Sequence, residues 1–106
     1  MAYGVLTIAS GQTTSDELNI GGASSGVVIE LPAAMTGTSI AIHGSVDGTN
    51  FSPIYNDGFA LSITFVASSI QVISPSKMLG IDKIRLVSSG AEGATRTFNV
   101  TAQRAV

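Results

Sequence analysis

Apolar residues in this chain recur at every second position, and that period constrains the fold more than any other feature of the sequence. From Ser39 to Val46, Ile40, Ile42, Gly44 and Val46 fall on one side, while Ser39, Ala41, His43 and Ser45 fall on the other. Leu61, Ile63 and Phe65 alternate with Ser62 and Thr64, and Ile70 and Val72 flank Gln71. Ile84 and Leu86 alternate with Lys83, Arg85 and Val87; Phe98, Val100 and Ala102 alternate with Thr97, Asn99, Thr101 and Gln103. Successive side chains of a strand point to opposite faces, so each run reads as a strand with one buried side. The runs are rich in β-branched residues, which pack well on a pleated surface. No stretch of about ten or more residues holds a helical apolar stripe. One short helical turn is expected at Pro75 with Lys77, Met78, Leu79 and Gly80.

Turn chemistry separates the runs. Gly21-Gly22 and Ser24-Ser25-Gly26 break the chain after Leu18 and Ile20. Asp47-Gly48-Thr49-Asn50 and Asn56-Asp57-Gly58 are hairpin signals. Pro32 ends the run Val27 to Leu31, because proline cannot donate to a ladder. Ser88-Ser89-Gly90 to Glu92-Gly93 reads as a flexible link before the last strand. The expectation is an all-β fold: a single antiparallel β-sandwich over residues 1–106, jelly-roll or immunoglobulin-like, with about eight or nine short strands. Residues 1–10 read either as an N-terminal arm or as an edge strand. The expected core is Leu6, Ile8, Leu18, Ile20, Val28, Leu31, Ile40, Ile42, Val46, Phe51, Leu61, Ile63, Phe65, Ile70, Val72, Leu79, Ile84, Leu86, Phe98 and Val100.

Composition narrows the function. Only 11% of residues are charged, against roughly 25% in an average globular protein, while 44% are hydrophobic. Disorder is excluded, since disordered chains combine low hydrophobicity with high net charge. Cysteine is absent, so neither a disulfide scaffold nor a thiolate metal site is possible. A net charge of −2 argues against electrostatic nucleic-acid binding. No apolar run approaches the roughly 18 residues of a membrane span. The first residues lack a basic region followed by a long apolar one, so synthesis and folding in a cytoplasm are expected. The charges are sorted: five acids and no base precede Lys77, and five bases against two acids follow from there. Strand outer faces are built largely from Ser, Thr, Asn and Gln, so copies repel one another weakly.

No enzymatic chemistry is legible. His43 is the one histidine and falls on the polar side of its strand, without a partner that would make it an acid or base. Asp47 and Asp57 lie in turns, where aspartate ordinarily accepts hydrogen bonds from its own backbone. No Asp-rich loop offers calcium its several oxygens. The two glycosylation sequons, at Asn50 and Asn99, read as chance matches. No cofactor and no metal are expected.

One arrangement is more specific. A Leu31-Pro32-Ala33-Ala34 segment precedes the hairpin Ser45-Val46-Asp47-Gly48-Thr49-Asn50-Phe51. A strand then ends in Pro75, and Lys83-Ile84-Arg85-Leu86 follows. This order resembles small β-sandwich structural proteins of tailed bacteriophages, some of which are capsid decoration, or cement, proteins. The resemblance implies a virion protein on the outside of the head, bound to the major capsid protein and bridging capsomers. It also implies assembly as a homo-oligomer, often a trimer, and brings no catalytic residues with it. The hairpin and the Lys-Ile-Arg-Leu strand also resemble discoidin-like jelly rolls, although the tryptophans and the cysteine pair usual there are missing. The alternative reading is a neck, tail or fibre module that binds host glycan. Candidate interface residues are Tyr3 and Val5 near the start, Tyr55 beside a turn, and the late bases Lys83, Arg85, Arg96 and Arg104.

Overall fold

The computed structural model describes residues 2–21, 24–56, 59–73 and 80–104; the side chains of 2, 3, 24–26, 56, 59, 60, 103 and 104 are outside that description. The expected Asp57-Gly58 turn tip, the helical turn at Pro75 and the core position Leu79 lie outside the described residues, as does Gly22. The strands are β1 (Ala2–Ile8), β2 (Thr14–Asn19), β3 (Ser24–Glu30), β4 (Ser39–Ser45), β5 (Ser52–Pro53), β6 (Tyr55–Asn56), β7 (Phe59–Ala60), β8 (Ser62–Thr64), β9 (Ile70–Ile73), β10 (Lys83–Ser88) and β11 (Arg96–Arg104). They form an antiparallel β-sandwich. One sheet has the order β1-β11-β3-β9. The second has the order β2-β10-β4-β5, with β8 also paired to β4, and β6-β7 is a small separate ribbon. Among the described residues the two main sheets thus hold nine strands, as the sequence pattern predicts, and the ribbon adds two more.

The two inner faces meet in one core. Leu6 and Ile8 of β1, Val27 and Ile29 of β3, Ile73 of β9, and Phe98, Val100 and Ala102 of β11 face Ile40 and Ile42 of β4 and Ile84 and Leu86 of β10. Ile20, Leu31 and Leu61 complete it, and Leu18, Ile63 and Phe65 pack against it half-buried. Burying such a side chain stabilises the fold by about 1.5–3 kcal/mol. A bulge interrupts the β2–β10 pairing between Arg85 and Val87. There the Leu86 N–H donates to the Ser15 hydroxyl at 2.9 Å, so a buried side chain replaces the missing ladder acceptor.

Five expected core residues lie elsewhere. Val28 points outward, because Glu30 two positions on belongs in water and fixes the parity, turning Val27 and Ile29 inward. Ile70 and Val72 are 63% and 73% exposed, because Ile73 is the residue of β9 that pairs with inward Val27. Val46 is exposed, because alternation breaks at the end of β4 where both Gly44 and Ser45 are buried. Phe51 stands over the outside of the second sheet, with the Arg85 guanidinium 4.6 Å from its ring centre. The expected flexible link from Ser88 to Gly93 is instead built around a buried carboxylate, Glu92.

Candidate functional site

The two outer faces of the sandwich carry different chemistry. On the four-stranded sheet, register places Val5 opposite Asn99, Asn99 opposite Glu30, and Glu30 opposite Ile70. The next row runs Thr101, Val28, Val72. Glu30 accepts a 2.8 Å hydrogen bond from Asn99 Nδ2. Around that polar pair lie Val5, Val28, Ile70 and Val72, all partly or largely exposed. The face is thus an apolar frame with one acid, whose charge is tied to an amide.

The second sheet presents charge instead. Asn19, Lys83 and Ser45 form one row; Glu17, Arg85, His43 and Pro53 form the next. Lys83 Nζ lies 3.9 Å from Glu17 Oε1, a partly exposed pair of little energetic weight. Arg85 stacks on Phe51, and its Nε is shielded from water without an acceptor. Burial and the neighbouring Arg85 charge lower the pKa of His43, which keeps its imidazole neutral at pH 7.

Two loops are held by carboxylates. Asp47 Oδ1 accepts from the Ser45 hydroxyl and from the Thr49 and Asn50 N–H groups, and Oδ2 accepts from Asn50 Nδ2. These donors, the backbone ones foremost, pull its pKa far below the usual carboxylate range. Gly48 at φ 82° completes the turn. Glu92 is 1% exposed. Its Oε1 accepts from Thr36 N (2.8 Å) and Arg96 Nε (3.0 Å), and its Oε2 from Gly37 N (2.9 Å) and Ser88 Oγ (2.7 Å). Burial raises its pKa, but these four hydrogen bonds outweigh burial and hold the carboxyl at about 2. Its backbone joins in: Glu92 N–H donates to Gln12 O, and Gly11 N–H donates to Glu92 O. Glu92 therefore pins the β1–β2 loop, the segment before β4 and the end of β10 to one another.

The structure scatters the sequence-derived candidates. Val5 belongs to the apolar face, and Lys83 and Arg85 belong to the charged one. Arg96 is engaged by Glu92. Tyr55 stands 64% exposed on β6, which pairs with β7 rather than with a strand of either main sheet. Tyr3 lies opposite Thr101 and Arg104 opposite Ser24; their side chains are outside the described set. Ile70, Val72 and Val28 were missed as surface residues because alternation alone does not say which parity faces out. The available signal was the run from Val66 to Pro75, which carries no charge.

Among solved structures, the chain is similar to YomS, an SPBc2 prophage-derived protein (TM-score 0.59, 10% identity, 95% of this chain and 93% of that one). It is also similar to CBM32-1 from a family 31 glycoside hydrolase of Clostridium perfringens (0.51, 12%, 87% and 71%). A third similar structure is the F5/8 type C domain of a Bacteroides fragilis protein (0.50, 9%, 99% and 93%). At these identities the likeness establishes the fold and no more. No family model matches the chain, and no curated relative matches it. Among the described residues, no helix is long and apolar enough to cross a membrane.

Proposed function

We propose that this chain is a phage virion structural protein, a capsid decoration protein that docks on the head through the outer face of the β1-β11-β3-β9 sheet. The observation that carries this reading is the apolar frame of Val5, Val28, Ile70 and Val72 on a chain otherwise sparing of charge. Large apolar side chains in water gain most when a partner covers them. Interface centres are depleted in charge, and the one acid of this face, Glu30, is hydrogen-bonded to Asn99. A fold shared with a prophage-derived protein supports the phage setting. The partner in this reading is the major capsid protein, and neither nucleic acid, membrane nor catalysis enters it. Incubating the purified protein with undecorated capsids and imaging them tests it. Regular added density on the shell is expected; bare shells at saturating protein overturn the proposal.

A second reading is a neck, tail or fibre module that binds host glycan. Exposed Tyr55 and the likeness to CBM32-1 favour it, since an exposed aromatic is a platform for a sugar ring. Saturable binding on a glycan array, lost in Tyr55→Ala, is its expected signature.

A further inference from the structure

The β9 edge differs from the other sheet edges among the described residues. Strand edges present unpaired N–H and C=O groups and are ordinarily blunted by charge, proline, shortness or cover. β2 carries Asp16 and Glu17, β5 is two residues long and includes Pro53, and β8 has three residues. On β1, the Thr7 N–H donates to Asp16 Oδ1 at 2.7 Å. β9 is Ile70-Gln71-Val72-Ile73, without charge or proline, and it pairs with β3 in unbroken register. That pairing shows which backbone groups are open. Leu31 N–H donates to Ser69 O at 2.8 Å, and Ile70 follows opposite Glu30. In an antiparallel pair, alternate residues turn both backbone groups toward the same neighbour. Gln71 and Ile73 therefore serve β3, while Ile70 and Val72 turn their N–H and C=O to the edge with which no other described strand pairs. These same two residues carry the most exposed large apolar side chains described on the face.

We propose that β9 pairs antiparallel with β9 of a second copy of this chain, across a two-fold axis at Gln71. Ile70 of one copy then lies opposite Val72 of the other, and each such pair exchanges both backbone hydrogen bonds. The exposed apolar side chains of the copies become neighbours on one continuous sheet. An antiparallel strand pair is itself two-fold symmetric, so an edge of this kind is its own complement. The strand carries no charge, so like copies meet without cross-strand repulsion. The contact is small: four residues span about 13 Å, too short to bury the roughly 800 Å² per partner of a stable interface. The pair is accordingly weak in dilute solution and forms where copies are concentrated. It is a separate contact from any three-fold assembly, and it does not depend on what the apolar face binds.

Sedimentation equilibrium of the full chain over a wide concentration range tests this. The expected result is a reversible rise from one chain to two. Val72→Pro removes an outward N–H while keeping the face apolar, and it should weaken pairing at least about tenfold. Val5→Lys alters the same face away from this edge and should leave pairing unchanged. Ile70→Lys gives a second edge variant should the proline variant fail to fold by circular dichroism, and it too should weaken pairing. A single chain at every concentration overturns the proposal, as does a larger assembly that shows no doubling step. So does a dimer that survives both edge variants or is lost in Val5→Lys, which would be stacking through the face.

Discussion

Two regions of this molecule break the rule of apolar inside and charge outside, and they break it in opposite ways. Glu92 is a carboxylate taken out of water. Ile70 and Val72 are large apolar side chains left in it. The carboxylate is compensated within the chain, since four donors meet its two oxygens and its pKa falls rather than rises. The apolar pair has no such compensation among the described residues. A buried polar group that is fully hydrogen-bonded is explained by the fold that it holds. An exposed apolar frame is explained only by what covers it. The first inversion is thus structural, and the second is the one on which the proposed capsid contact rests.

Substitutions at the two regions should separate on stability. Glu92→Ala strands the Thr36 and Gly37 N–H groups and leaves Arg96 without its carboxylate, and should cost about 3 kcal/mol in urea unfolding. A loss under about 1 kcal/mol would break the comparison. Gly37→Ala attacks the same region by shape, because a Cβ there collides with the Ser88 hydroxyl and crowds Glu92. It should cost about 1–3 kcal/mol. pH sharpens the point. The carboxyl titrates at about 2 in the fold against an ordinary value of 4.5. The stability it contributes is therefore complete above about pH 4.5 and is lost as pH falls toward 2. In Glu92→Gln that part of the acid dependence should vanish from a melting series. Val72→Thr, at the other region, should move stability by no more than about 0.5 kcal/mol. A large loss would mean that Val72 already has a partner inside the chain.

The sandwich is legible in the sequence, and neither of these two regions is. Period-two alternation carried the sandwich, because Ile84, Phe98 and Val100 each sit between two polar neighbours that fix parity, and Ile40, Ile42 and Leu86 each have one. Alternation fails where apolar residues crowd. Val27, Val28 and Ile29 are consecutive, and only Glu30 decides which of them turn inward. Ile70 and Val72 lose the core to Ile73 through pairing with a distant strand, which no local pattern encodes. Glu92 was invisible for a similar reason. Its donors at Thr36 and Gly37 lie more than fifty residues away, and its setting of Gly, Ala and Ser reads as a loose link. Of the candidate interface residues, Val5 lies on the apolar frame, while Lys83, Arg85 and Arg96 lie in other surroundings. Sorting of charge along the chain did not translate into sorting in space, because β2 with Asp16 and Glu17 lies beside β10 with Lys83 and Arg85.

The central claim is that the apolar face, and not the charged one, meets the capsid. Its most direct test is cryo-electron microscopy of undecorated capsids mixed with the wild-type chain, Val5→Lys or Arg85→Ala, each first shown to be folded. Wild type and Arg85→Ala should give the same regular density, while Val5→Lys should bind at least about tenfold more weakly. Full occupancy by Val5→Lys together with loss in Arg85→Ala would contradict the account and move the contact to the opposite face.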